Sequence, residues 1–243
     1  MNIIFGIIFI LLSPKDLPER IDKSGNNQID KVISNYQNIE SVYGRMTRYY
    51  SVNDIKERST GKFYLRKPGK LYIKYFKPEQ TIILNNSVLW IYSPGKKQAV
   101  KTSYSELPNM DKKLSGIDIL LSFNFITELK KSFDITRQDS THLIATPKDN
   151  NNISKVIFEI DPQKNVILNE KTFDYTDKLI YDTDYKDWEL VEGMWFPQDI
   201  VSEFHIDGKE IKEKVRFSEI FINYEIADKQ FKFVAPKGLT IIN

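Results

Sequence analysis

The stretch GKFYLRKPGKLYIKY, Gly61–Tyr75, decides the fold class. Two arms, each alternating large apolar residues with others, meet at Lys67-Pro68-Gly69-Lys70. Proline presets φ and glycine accepts positive φ, so the centre reads as a turn. Each arm has period two, with Phe63 and Leu65 on one face and Leu71, Ile73 and Tyr75 on the returning arm. The pair therefore reads as two antiparallel strands with one wide apolar face.

Working outward, TIIL (Thr81–Leu84), a polar NNS and VLWIY (Val88–Tyr92) form a second hairpin. Upstream, Ile29, Val32, Ile33 and Tyr36 fall at i, i+3, i+4 and i+7, one face of a helix, with Asn26 or Asn27 as its N-cap. The folded part is expected to begin near Asn26, after a turn-rich polar stretch. From about Glu40 the pattern turns to strand through Val42, Met46, Tyr49 and Tyr50, and SVNDIKERST (Ser51–Thr60) reads as a polar loop. Leu114, Ile117, Leu120 and Leu121 suggest a short apolar helix running on toward Phe125 and Leu129. The remainder is strand-rich, with Asp207-Gly208 as a type I′ hairpin turn. The expectation is one mainly β domain, an antiparallel sheet with a few helices against it.

The chain has 243 residues, enough for a sizeable core, and 35 basic against 33 acidic residues give a net charge of +2. That balance argues against a nucleic-acid protein, whose basic excess is larger and clustered. Zero cysteines remove disulfides, thiolate nucleophiles and zinc–thiolate sites together. Ile3–Leu12 is an uncharged apolar run of ten residues, too short to span a bilayer as a helix. It matches the apolar region of a secretory signal, so residues 1–20 are read as a signal peptide and 27–243 as one domain exported to the periplasm. A buried N-terminal strand or short anchor is the alternative.

Residues that do chemistry are scarce. His142 and His205 each stand alone in a strand pattern, and no metal or catalytic spacing surrounds them. Neither a nucleophile elbow nor a phosphate-binding glycine loop is present. Asp182, Asp184 and Asp187 have the wrong residues at the sixth and twelfth positions for a calcium loop, where Asp187 and Gly193 stand, and read as a solvated loop or edge strand. Apolar supply is what remains, and periodicity alone does not separate a filled core from a lipid cavity.

The combination of YLRKPGKLYIKY, QTIILNNSVLWIYSPGKKQAV and the closing FKFVAPKGLTI, in that order, resembles the LolA family of periplasmic lipoprotein carriers over roughly Ile29 to Leu239. The resemblance implies an unclosed antiparallel β-barrel covered by a helical lid, without enzymatic activity or cofactor. It implies acylated lipoproteins as cargo, an inner-membrane ABC exporter as donor and an outer-membrane receptor as acceptor, with the carrier a monomer. Sensor and receptor domains of the same superfamily are the alternative. On this reading Phe63, Leu65, Leu71 and Ile73 line the concave face, and Trp90 is a cavity or rim residue. Ile117, Leu120 and Leu121 belong to the lid, with Ile33 and Tyr36 from the first helix. The family's lid is held by an arginine directly before the proline; here that position is Lys67, with Arg66 one residue earlier. A lysine offers a flexible ammonium in place of a planar fork. Alternation puts Lys67 on the inner face and Arg66 outside, exposed and with little to do.

Overall fold

The computed structural model describes residues 24–52, 55–104, 129–149, 153–206 and 209–242. The expected signal segment, and Ile117, Leu120 and Leu121 of the expected lid, lie outside the described residues. Helix α1 (Ser24–Gln37) starts two residues before the expected boundary. The first half of the sheet comprises β1 (Ser41–Val52), β2 (Ile55–Arg66), β3 (Lys70–Lys77), β4 (Glu79–Asn85), β5 (Val88–Ser93) and β6 (Gln98–Ser103). The second comprises β7 (Phe133–Arg137), β8 (His142–Pro147), β9 (Ile153–Asp161), β10 (Val166–Asp174), β11 (Leu179–Val191), β12 (Met194–Ile206) and β13 (Lys209–Ile222), and β14 (Thr240–Ile242) follows.

These strands form one sheet in the order β14-β6-β5-β4-β3-β2-β1-β13-β12-β11-β10-β9-β8-β7. Each half is a meander of hairpins, and β1 pairs antiparallel with β13 to join them. The β14–β6 pair alone is parallel among the described pairs. The sheet is not closed into a barrel: its ends are β14 and β7. It nevertheless curls, because inward residues as far apart as Leu89 of β5 and Phe133 of β7 share one apolar cluster.

The quoted hairpin is present, with Leu65 opposite Leu71 and Phe63 opposite Ile73. Gly69 adopts φ +61°, which the turn requires and a side chain would strain. The expected loop at Ser51–Thr60 is instead strand at residues 51–52 and 55–60, with 53 and 54 outside the described residues. Val52 pairs with Ile55 and Ser51 with Lys56, so the described residues of the polar run extend β1 and β2 as paired strands. Its polar residues are compatible with strand because they stand where the hairpin is open to water (Lys56, Glu57 and Arg58 are exposed), and ladder hydrogen bonds replace burial as the organising force. Likewise Asp182 and Asp184 are on neither a loop nor an edge. They sit in β11, between β10 and β12, and Asn169 donates its side-chain amide to both carboxylates at 2.7 and 2.8 Å.

Candidate functional site

The inner face is built by the period-two alternation of the strands and by α1 laid across it. Phe63, Leu65, Leu71 and Ile73 are all buried there, in the same cluster as Ile29, Val32, Ile33 and Tyr36 of α1. The helix's i, i+3, i+4, i+7 stripe therefore rests on the hairpin's apolar face. Leu129, in the helical turn at 129–132, joins the cluster. Trp90 does not. Leu89 and Ile91 take the inward positions of β5, and Trp90 lies on the outer face, its ring stacked on Phe233 at 4.5 Å with Lys101 over it. A strand turns alternate residues to opposite faces, so an inward Leu89 excludes an inward Trp90.

Helix α1 bridges the two halves of the sheet. At its C-terminus the Lys67 ammonium donates to the Tyr36 carbonyl at 2.6 Å, where a cation meets the negative end of the helix dipole. The same carbonyl accepts the Ile39 N–H at 3.2 Å, and Lys67 N–H donates to the Glu40 carbonyl at 2.8 Å. Burial pulls the Lys67 pKa below that of an ordinary lysine, and the Glu40 carboxylate opposes the shift. On the other half, Asn35 donates to the carbonyls of Lys164 and Asn165, both at 2.9 Å, and Gln28 reaches the Asn165 side chain. Lys130 pairs with Asp30 at 2.7 Å. The helix is thus tied to the β2–β3 turn on one side and the β9–β10 turn on the other.

Arg66 points to the opposite face from Lys67, and there it is far from idle. It donates to the Ile226 carbonyl at 2.5 Å, pairs with Asp228 and lies over the Phe231 ring at 5.2 Å. Lys70 adds a second contact to Asp228, 2.8 Å long. The two cations hold the Asp228 carboxyl down at about 2. The segment following β13 therefore runs as a strap across the outer face, with Phe231 buried and Phe233 on Trp90. Asn223, at φ +55°, starts the strap. Its side chain donates to the Asn38 carbonyl and accepts from the Glu40 N–H, clamping the link between α1 and β1. Sequence reading missed this strap because a hydrophobic run without periodicity does not say which face it covers.

A polar belt, also unread from the sequence, crosses the inner face. Arg48 and Glu213 form an ion pair while almost wholly buried, and Tyr50 lies under the guanidinium at 4.9 Å. The belt continues in register through Ser202, Thr183 and Glu170; Thr183 donates to Ser202 at 2.9 Å and the Tyr185 hydroxyl to Glu170 at 3.3 Å. It separates the main cluster from a small one formed by Tyr50, Phe204 and Ile211. Burial pushes the Tyr36 hydroxyl, at the helix end above, well up from its ordinary value. The histidines stand apart: His142, the first residue of β8, has its Nδ1 2.9 Å from the Asp139 carboxylate, and His205 is near the far end of β12. No group of three His, Asp or Glu converges to hold a metal among the described residues.

An open, curled sheet with an apolar inner face under an amphipathic helix is a fold of the unclosed-barrel class. The sequence model described as "Outer membrane lipoprotein carrier protein LolA" matches residues 47–183, more than half of the chain, and the chain belongs to that family. Relatives named outer-membrane lipoprotein carrier protein include one from Pseudomonas paraeruginosa, 21% identical over 223 residues (91% of this chain, 88% of the relative). Another, from Pseudomonas fluorescens, is 19% identical over 234 residues, 96% of this chain and 95% of the relative. Among solved structures, a DUF1329 family protein from Desulfovibrio piger has TM-score 0.65 at 16% identity, covering 86% of this chain and 97% of that one. A LolA superfamily protein from Nitrosomonas europaea has TM-score 0.58 at 13% identity, with the same two coverages. At such identities these two speak for the fold alone.

Proposed function

We propose that this protein is a periplasmic carrier that shelters the acyl chains of lipoproteins on its inner face, beneath α1, while they cross between membranes. The observation that carries the reading is α1 itself. Its apolar stripe covers an apolar sheet face, yet it is held there by side-chain contacts from two turns, a fastening that can open and close. Family membership supports the same cargo. A lipoprotein-releasing exporter in the inner membrane is the proposed donor, and an outer-membrane receptor the acceptor. Phe63, Leu65, Leu71, Ile73, Ile33 and Tyr36 supply the acyl-contacting surface on this reading. No bond is made or broken; the protein only exchanges one apolar cover for another. Among the described residues no helix is long and apolar enough to cross a membrane.

The test is retention of a triacylated lipopeptide by the purified protein, together with mass spectrometry of species that co-purify from the native envelope. The reading expects acylated peptides in both. A protein that retains no acylated peptide in either refutes it. Lipids bound in place of lipopeptide would overturn the cargo.

A further inference from the structure

Five aromatic side chains are exposed among the described residues, and four of them gather on one surface. Tyr49 of β1, Phe76 of β3 and Phe221 of β13 stand on the outer face, and Tyr224 follows at the start of the strap. They extend a cross-strand row in which Phe221, Tyr43, Tyr64 and Tyr72 are direct neighbours on successive strands. Tyr43 stacks on Tyr64 at 4.7 Å and on Phe221 at 5.7 Å. The strap covers the far end of this row through Phe233 on Trp90, and at the near end its exposed Tyr224 lies tilted beside Tyr43 at 6.2 Å.

The next rung of the same face is cationic. Arg45, Lys62 and Lys74 lie directly opposite one another on β1, β2 and β3. Like charges placed so cost stability in isolation, and an outside anion relieves the cost. Arg45 and Lys74 have exposed partners in Glu219 and Glu79. Lys62 and Arg58 pair with no carboxylate among the described residues, and lie over the rings of Tyr64 and Tyr49 at 5.6 and 5.7 Å. A groove of about 370 Å³ beside Tyr49 carries Lys56, Lys212 and Lys214 together with Glu57, Glu203 and Glu213. There Lys212 pairs with Glu203 and Glu210 and Lys214 with Asp199, so the uncompensated charge of the face lies at Lys62 and Arg58.

We propose that this outer face docks on the surface of an anionic lipid bilayer. The pattern of the rings decides between a membrane and a protein. Protein interfaces gather aromatics at a centre depleted of lysine and charge, with polar groups at the rim. Here lysines and arginines interleave with tyrosines and phenylalanines, the arrangement that suits headgroup level, where amphipathic rings insert and cations meet lipid phosphates. The surface lies opposite the inner face, so docking leaves α1 free to open.

Co-sedimentation of the purified full chain with vesicles tests this. The probes are phosphatidylcholine vesicles and vesicles with about one third phosphatidylglycerol, at low and high salt. The protein should pellet with the anionic vesicles at low salt, and release at high salt. Each cation near such a surface contributes about five-fold in partitioning, so Lys62→Glu/Arg58→Glu should weaken binding by more than about 25-fold. That pair breaks no described ion pair. Phe221→Ser/Tyr224→Ser should weaken binding to the anionic vesicles at low salt. Lipopeptide retention, read in parallel, should stay at the wild-type level in all variants, so failure of docking and failure of the carrier reading are distinguishable. Equal pelleting with both vesicle types, pelleting unchanged in the charge-reversed variant, or no pelleting at all overturns the proposal. A strip that ignores vesicles and binds only an acidic protein overturns it too.

Discussion

Replacing Lys67 by methionine removes one ammonium and keeps most of its stem. In the wild type that ammonium donates to the Tyr36 carbonyl at 2.6 Å. A hydrogen bond from a charged donor contributes about 1.5–3 kcal/mol, and a cation at a helix C-terminus about 0.3–1 kcal/mol, more when partly buried. These overlap, since both describe the same ammonium. Two features reduce the loss: Tyr36 O keeps the Ile39 N–H, and burying the lysine already costs something, as its depressed pKa indicates. A net weakening of α1 docking of about 1–2 kcal/mol follows, or about 5- to 30-fold in the population with the helix lifted. Hydrogen exchange resolved by residue is the assay. Amides of Ile33, Tyr36 and their neighbours in α1 should exchange faster by that factor, while those of β12 and β13 stay unchanged. Arg66→Met is the control, and should speed exchange in the strap and leave α1 alone. Unchanged α1 exchange in Lys67→Met would refute the latch. So would uniform acceleration across the sheet, because Lys67 would then support the whole fold.

Acid should release the strap. The Asp228 carboxyl is depressed to about 2 from the ordinary 3.8, so its contribution is complete above the ordinary value and is lost as pH falls through about 2. Trp90 fluorescence should change over that window, and Asp228→Asn should give the released signal already at neutral pH; identical titrations in both would refute it. Arg48→Met or Glu213→Leu alone should cost about 3–5 kcal/mol in denaturant unfolding by leaving a buried charge without its counter-charge, while the double variant should recover most of it. Additive losses would show that the two do not act as a pair. Asn223→Ala should cost about 1–2 kcal/mol through two lost hydrogen bonds and a strained positive φ, and Asn223→Gly should regain only the backbone share. Equal stability of the two variants would remove the backbone argument.

The sheet was legible where side chains alternate around a turn with fixed chemistry. The hairpin at Lys67-Pro68-Gly69-Lys70 fixed its own register, and with it the inward set Phe63, Leu65, Leu71 and Ile73 and the inward direction of Lys67. The α1 stripe was legible for the same reason at period 3.6. Ser51–Thr60 was not, because a polar strand held by ladder bonds carries no apolar period. Trp90 was misplaced because VLWIY is apolar at every position, so only pairing across the Asn85–Val88 turn sets its facing. Arg66 was assigned too little for a different reason: its partners Ile226 and Asp228 lie 160 and 162 residues away, and no local pattern announces them. The belt from Arg48 to Glu170 shares that fate, since five strands must be in register before its members are neighbours.

The energetics of the inner face suit a cover that can be exchanged. Lifting α1 exposes Ile29, Val32, Ile33 and Tyr36, each fully or almost fully buried, together with the sheet beneath. At about 1.5–3 kcal/mol per side chain, the four account for about 6–12 kcal/mol. Burying about ten methylenes of one acyl chain returns about 8 kcal/mol. On the proposed reading the two terms nearly cancel, so a chain entering where the helix stripe lay is gained and lost at little net cost. A near balance of this kind leaves small contacts in control. The Lys67 bond, the Asn35 bonds to the β9–β10 turn and the Asn223 clamp are each worth a kilocalorie or two at most. They are thus of the size needed to set how often the helix is open, and a binding partner that displaces one of them would bias loading or release without any change to the sheet.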